Sequence, residues 1–341
     1  MKQVWITEKG APHTLQVREA PEPRAGAGQV RIRVAFAGIN FADIQARMGQ
    51  YPDAPPIPCV VGYEVSGVVD QVGEGVSGFT EGDRVLTFTP FGGYSEAVVV
   101  DAAWVHKVPE GISLEAAAAL PVNYATAWTM LIRLGALRPG ETVLVHSAGG
   151  GVGLAALQIC QWRGATAIGT ASAGKHARLR ELGYSHCIDY RSQDFEKETL
   201  SITGGRGVDV VLDPQGGNSF RKSYRCLAPL GRLFMFGVAD TVQGERMQPL
   251  ALLRALVTTP VFHPLALLNG NRGVFGTNMG KLFDQLDRLK PDMDEIVRLL
   301  GEGVLQPVVD RVFPFEQAPA AHRYIQERRN FGKILLTAAG G

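Results

Sequence analysis

Residues 143–153 read VLVHSAGGGVG: an apolar run passes directly into a glycine-rich turn, and a segment of helical periodicity, LAALQIC, follows at once. A turn without side chains lets backbone N–H groups come close to a ligand. A helix opening near Val152 adds unpaired donors and the positive end of its dipole. Gly150, Gly151, Val152 and Gly153 are therefore a candidate cradle for the pyrophosphate of a dinucleotide. Glycines alone also make a tight structural turn, so the flanking pattern has to decide. After the helix, ATAIGTA over Ala165–Ala171 reads as a second strand, and strand, turn, helix and strand fit within about thirty residues as one βαβ unit.

The identity of the dinucleotide is read from the end of that second strand. An NAD site usually carries an acid roughly 20 positions beyond the glycines, where it accepts from the ribose hydroxyls. Here that place falls near Ala171, and the chain continues Ser172-Ala-Gly-Lys175, a hydroxyl and a cation where a 2′-phosphate would sit. NADPH is the predicted cofactor. Tyr190, closing the next predicted strand CIDY, adds a phenol to the same pocket.

A chain of 341 residues exceeds the usual single domain, so two domains sharing a cleft are expected. The net charge of +1, with lysines and arginines scattered, provides no field for a polyanion and excludes nucleic acid as a partner. Cys59, Cys160, Cys187 and Cys226 stand far apart, without the spacing of a metal site or a disulfide framework, which fits a reducing, cytoplasmic setting. The start MKQVWITEKG has no apolar signal core. The most apolar stretch, 249–268, is interrupted by Arg254, Pro260, His263 and Pro264, so no membrane span is expected and a pair of buried helices broken near the prolines is.

Residues 1–122 carry β-branched runs (QVRIRVAFAGI, VSGVVDQVG, DRVLTF, YSEAVVV) separated by glycine and proline turns, a β-rich domain. Over 123–302 helices alternate with six short apolar strands predicted at 143–147, 166–171, 186–189, 208–213, 231–237 and 273–278. The fold class is α/β, a doubly wound parallel sheet beside a β-rich domain. Residues 303–341 return to strand and turn character and are expected to fold back onto the first domain.

The order of these segments, with GINFAD, GYEVSGVV, GEGV, GDRV and AGGGVG, resembles the medium-chain dehydrogenase/reductase superfamily over essentially the whole chain. GTASAGKH, IDY, DPQGG, LALLNGNRGVFG and VFPFEQA are most similar to its zinc-independent quinone oxidoreductases, on the branch of the vesicle amine transport protein homologues. The resemblance implies a GroES-like catalytic domain, a Rossmann domain with NADPH in the cleft, and a homodimer joined through the sixth strand and the 250–276 region. Zinc-dependent members carry cysteine at the place of Asn40 and histidine at the place of Tyr63. An amide and a phenol do not replace those donors, and no metal is expected. The resemblance also places Thr126 on the nicotinamide carboxamide, Phe236 and Gly237 under the nicotinamide half, and Asn330 closing over it.

Without a Lewis acid, the expected acceptor is already electrophilic: a quinone or a conjugated carbonyl. Hydride addition leaves an oxyanion that needs donors and then a proton. Asn40 offers an amide, Tyr51 and Tyr63 offer phenols, and Asp43 orients the group. Each also has a structural role open to it: Tyr51 as a surface turn residue, Tyr63 as a core phenol, Asp43 as a helix cap. The pattern I-N-x-x-D followed by G-x-Y-P is similar to 2-enoyl thioester reductases, in which the tyrosine at the place of Tyr51 is a proposed proton donor. A nucleotide-binding adaptor without turnover is the third reading. His146 is expected to be a packed residue at a strand end.

Overall fold

The computed structural model describes residues 1–241 and 257–338, which divide into two compact units: 1–125 with 279–338, and 126–241 with 257–278. In the first unit the strands are β1 (Lys2–Ile6), β2 (Leu15–Glu19), β3 (Gln29–Ile39), β4 (Cys59–Val60), β5 (Glu64–Val72), β6 (Arg84–Phe88), β7 (Ala97–Asp101) and β8 (His106–Lys107). Two more come from the end of the chain, β15 (Val309–Pro314) and β16 (Lys333–Thr337). Three of them make a small sheet in the order β2-β1-β4. The larger sheet runs β15-β16-β3-β5-β6-β8, with β7 on the first half of β3.

Strand β3 organises this unit. Its 11 residues pair with β5 along one side and with β7, then β16, along the other, so Val30, Ile32, Val34, Ala37 and Ile39 are buried from end to end. The pairing of Leu335 with Gly38 brings the C-terminal strand onto the β-rich part of the chain. The first unit also takes in the helix Leu286–Gly301. Leu286, Leu289 and Met293 line one small cavity with Phe88, Trp104 and His106, and Asp294 pairs with His106 Nδ1 at 3.3 Å. The return to the first unit thus begins at Met279, whereas composition alone put the change of character at Gly303. The helix is amphipathic, which shows that it packs but not on which unit, and its contacts assign it.

The second unit is built on six parallel strands: β9 (Thr142–Val145), β10 (Thr166–Ala171), β11 (His186–Asp189), β12 (Val208–Asp213), β13 (Leu227–Met235) and β14 (Gly273–Gly276), in the order β11-β10-β9-β12-β13-β14. This is the doubly wound parallel sheet expected from the sequence. All six residues of β12, Asp209 and Asp213 among them, and three of the four in β9 are buried, as in strands covered on both faces. The chain leaves β9 toward β11, then returns to the other side of β9 at β12. The carboxyl ends of these two neighbours form the switch point where such sheets bind ligands. Strand β13 starts earlier than expected, at Leu227, and kinks where Leu230 takes φ 67°.

The apolar stretch at 249–268 lies outside the described residues as far as 256. Beyond it, the expectation of burial fails. The helix Pro264–Gly270 buries none of its residues, and Val257, Val261, Leu265 and Leu268 are exposed. No helix among the described residues is long and apolar enough to cross a membrane.

Candidate active site

Two groups of residues stand out, one in each unit. In the second unit, β9 ends at Val145 and the chain turns through Ser147, held at φ 56°, to Gly150, which precedes the helix Gly151–Arg163. That helix has no side-chain cap and no acid in its first turn, so the N–H groups of Gly151, Val152 and Gly153 face the turn uncompensated. Gly153 has a steric reason: a Cβ there would lie 2.6 Å from the carbonyl oxygens of Ser147 and Ala148. A buried tyrosine that the sequence reading missed supports it, since Tyr184 Oη donates to Gly153 O at 2.8 Å while its ring packs under Gly169.

The strand ends carry the other dinucleotide candidates. Ala171 is in register with Asp189, which places Ser172 and Tyr190 side by side at the ends of β10 and β11. Lys175 follows in a short 3₁₀ turn whose N–H bonds Ser172 O at 2.9 Å. Arg191, not singled out from sequence, holds its guanidinium 5.9 Å from the Tyr190 ring centre. The acid in this register, Asp189, is engaged by its own turn: it accepts from Arg191 N at 3.1 Å and Ser192 Oγ at 2.8 Å, and the Arg191 N–H is the main cause of its lowered pKa.

After β12 a buried network shapes the loop beside the glycine turn. Asp213 accepts from Gln215 N, Ser219 Oγ and Ser223 Oγ at 2.7–2.8 Å, and Gln215 Nε2 donates to Ser147 Oγ at 2.8 Å. His146 joins Ser223 Oγ and Thr170 Oγ1 at 3.0 Å each, and burial lowers its pKa, so the neutral ring is a packed strand-end residue as expected. The DPQGG string carried a family signal in sequence, but its contacts to Ser147 and His146 did not show. Phe236 and Gly237 follow β13. Phe236 N bonds Asp213 O, and a Cβ on Gly237 would meet Pro214 O at 2.9 Å. Thr126 is buried on the helix Pro121–Trp128.

In the first unit, Asn40 precedes the helix Phe41–Arg47 and forms a capping box with Asp43: Asn40 N donates to Asp43 Oδ2 at 2.7 Å. Asp43 Oδ1 accepts from Gly62 N at 3.0 Å, and the Tyr94 hydroxyl is a further partner. One buried carboxylate thus ties together the two turns that present Asn40 and Tyr63. Burial pushes its pKa up to about 7 against these hydrogen bonds. Asp43 holds the loop, the capping role open to it from sequence.

The Asn40 side chain is engaged on both atoms. Lys333 Nζ donates to its Oδ1 at 2.7 Å, and its Nδ2 donates to Glu64 Oε1 at 3.0 Å. Lys333 and Glu64 form an ion pair, both buried, and Glu64 Oε2 accepts from Val122 N at 2.7 Å. Lys333 was not singled out from sequence as part of this group, because it lies 293 positions from Asn40.

Tyr51 and Tyr63 meet edge to face, with ring centres 6.1 Å apart. Tyr63 also stacks on Phe283 at 5.7 Å and touches Phe91. Burial first, then the charge of Asp43 and the neighbouring Tyr51, raise the Tyr63 pKa far above its ordinary value, so it remains a neutral core phenol. Tyr51 is only partly buried. Asn40, Asp43, Tyr51 and Tyr63 are thus brought into one cluster. Asn330 sits apart on the turn before β16, where its Nδ2 donates to Gly332 O at 3.0 Å. Among the described residues no group of three or more His, Cys, Asp or Glu is arranged to hold a metal ion.

Residues 26–110 match the alcohol dehydrogenase GroES-like domain, and residues 182–336 match the zinc-binding dehydrogenase family. The synaptic vesicle membrane protein VAT-1 homolog of Rattus norvegicus is 42% identical over 94% of this chain and 80% of its own length. Among solved structures, Escherichia coli quinone oxidoreductase complexed with NADPH superposes with a TM-score of 0.86 at 29% identity, covering 99% of this chain and 100% of that one. CurK enoyl reductase gives 0.85 at 29% identity over 98% of each chain.

Proposed function

Because the chain belongs to the quinone oxidoreductase family of the medium-chain dehydrogenase/reductase superfamily, on the VAT-1 homologue branch, we propose that it is a metal-free, NADPH-dependent reductase of quinones or conjugated carbonyls. One observation carries this reading: Asn40, which stands with Tyr63 at the places of two zinc ligands in zinc-dependent members, is bonded to the buried Glu64–Lys333 ion pair. A zinc ion does not fit that donor set. The carboxylate is neutralised by an ammonium, the amide oxygen accepts from the same ammonium, and the phenol of Tyr63 stays protonated. An acceptor reduced here has to be electrophilic without metal activation.

The second unit fits a phosphorylated dinucleotide. The first-turn N–H groups of Gly151, Val152 and Gly153 suit the pyrophosphate, with Gly150 clearing the approach. Ser172, Lys175 and Tyr190, with Arg191, suit a 2′-phosphate at adjacent strand ends. Thr126, Phe236, Gly237 and Asn330 are assigned to the nicotinamide half. Bound NADPH supplies the hydride. The protein's own share is electrostatic and acid–base: Asn40 donates an N–H to the oxygen that gains charge, Asp43 keeps the Asn40 turn in place, and Tyr51 delivers a proton. Tyr63 packs against Tyr51 and orients it.

The test is a spectrophotometric screen of NADPH oxidation by the purified chain with ortho- and para-quinones, enones and enoyl thioesters. Turnover of quinones or enones is expected, and its absence with every acceptor would sink the proposal. Likeness to CurK enoyl reductase favours a second reading, which a much faster reaction with acyl thioesters would support. Tight NADPH binding without any turnover would instead mark an adaptor. We also propose a homodimer. Val257, Val261, Leu265 and Leu268 are exposed on the segment that precedes β14, the last strand of the sheet order, and a run of exposed apolar side chains favours a second copy.

A further inference from the structure

We propose that Lys333 and Glu64 are positioning residues: together they lock the Asn40 side-chain amide in one orientation, so that the hydrogen-bonding group it keeps for a substrate oxygen is an N–H. The lock follows from what each partner is able to do. An ammonium has three donors and no acceptor, and a carboxylate only accepts. Lys333 Nζ lies 2.7 Å from Asn40 Oδ1, and Glu64 Oε1 lies 3.0 Å from Asn40 Nδ2. Turning the amide over would set N–H against ammonium and carbonyl against carboxylate, losing two charge-assisted bonds and creating two repulsions. The amide therefore has one state, with one Nδ2 hydrogen committed to Glu64 and the other left to donate.

The fold makes room for this arrangement. Glu64 and Lys333 are exposed by 0% and 3%. Gly38, two residues before Asn40, runs so close to the pair that a Cβ there would lie 2.5 Å from Glu64 Oε1 and 2.7 Å from Lys333 Cε. The ion pair is anchored at its far side by the Val122 N–H. Buried pairs seldom add stability over apolar residues of the same size, so orientation of the amide is the return on keeping two charges inside. The inference rests on the proposed role of Asn40 as donor to the acceptor oxygen.

Two measurements on the full chain test it. The first needs no turnover: the ¹⁵N-resolved side-chain amide of Asn40, assigned by its loss in Asn40→Ser. Two widely separated proton resonances, one protected from exchange by Glu64, are expected. They should collapse toward solvent-like values in the double variant Lys333→Met/Glu64→Gln, which removes both charges together. Resonances already solvent-like in the unmodified chain would overturn the lock. The second is kinetic, with NADPH and the best acceptor from the screen. Asn40→Ser and the double variant should each lower kcat by about tenfold or more with little change in NADPH affinity, and Lys333→Arg should retain most of the turnover. Combined with Asn40→Ser, the double variant should cause no further fall, because the pair acts through Asn40. Additive losses, or an unchanged kcat, would refute the role of Lys333 and Glu64. No turnover in the unmodified chain would refute the reductase reading and leave the amide resonances to decide the lock.

Discussion

Replacing Asp43 with Asn should shift stability in opposite directions on the two sides of neutrality. The carboxyl is fully buried, accepts from Asn40 N at 2.7 Å and Gly62 N at 3.0 Å, and is pushed by burial up to about 7. In the unfolded chain it ionises near ~3.9, so over the interval between, the folded protein keeps a proton that the unfolded chain has released. The Tyr94 hydroxyl can turn to accept that proton, since His322 Nε2 lies 3.4 Å behind it and burial lowers the His322 pKa. A raised acid contributes stability that is complete below the unfolded pKa and is lost as pH climbs through the folded value. At ~1.36 kcal/mol per unit, the loss between about pH 5 and pH 8 is roughly 3 kcal/mol. The variant's amide does not titrate, and its NH₂ cannot accept from a buried N–H, a cost of about 1–2 kcal/mol. The variant should therefore be less stable than the parent by about 1–2 kcal/mol at the acid end and more stable by a similar amount at the alkaline end. Urea unfolding followed by tryptophan fluorescence at the two pH values reads the difference. A difference of the same sign and size at both would refute the reasoning.

Gly153→Ala should weaken NADPH binding about tenfold or more and cost about 1–3 kcal/mol of stability, because the new Cβ meets two carbonyl oxygens at 2.6 Å; calorimetric titration measures the first and thermal unfolding the second. Lys175→Ala should raise the Kd for NADPH by about tenfold to a hundredfold, the worth of a hydrogen bond to a charged group, and leave NADH nearly unchanged. Equal losses for both would show that the lysine does not meet the 2′-phosphate. Tyr51→Phe should lower kcat with little effect on KM for NADPH, and an unchanged kcat would remove Tyr51 as proton donor. Leu265→Asp/Leu268→Asp should turn a dimer into a monomer in light scattering, while a parent chain that is already monomeric would dismiss the interface.

The second unit was the more legible of the two. The glycine turn, the buried strands β9 and β12 and the end of β10 are local patterns, and local patterns carry periodicity. Ser172, Lys175 and Tyr190 could be grouped because consecutive parallel strands lie side by side in such a sheet, which the Ala171–Asp189 register realises. What escaped notice is non-local: the Tyr184 hydroxyl under Gly153, and the bond from Gln215 to Ser147 across the switch point. The helix Leu286–Gly301 shows the same limit, since its amphipathic pattern says that it packs but not on which unit. The exposed helix Pro264–Gly270 shows another: apolar composition signals burial, and in a chain that associates the burial can lie outside the single copy.

The cluster around Asn40 was half legible, for a reason that bears on its chemistry. Sequence reveals what positions 40 and 63 lack as metal ligands, but not that Lys333, from the far end of the chain, puts a positive charge beside Asn40 and Glu64. An ammonium and a metal ion both stabilise negative charge nearby, but an ammonium offers no open coordination position to an alkoxide. With Glu64 neutralising it and Asn40 Oδ1 taking one of its hydrogens, Lys333 is proposed to act on a bound molecule through the polarised amide between them. A hydrogen-bond donor stabilises an alkoxide far less than a coordinated metal ion does, so an unactivated alcohol is the harder substrate for such a site. On the proposed function, an acceptor that is already electrophilic is therefore expected to be reduced faster than an unactivated alcohol is oxidised. Comparing kcat/KM for a quinone with that for a panel of primary and secondary alcohols under NADP⁺ measures the preference, and alcohol oxidation at a comparable rate would contradict it.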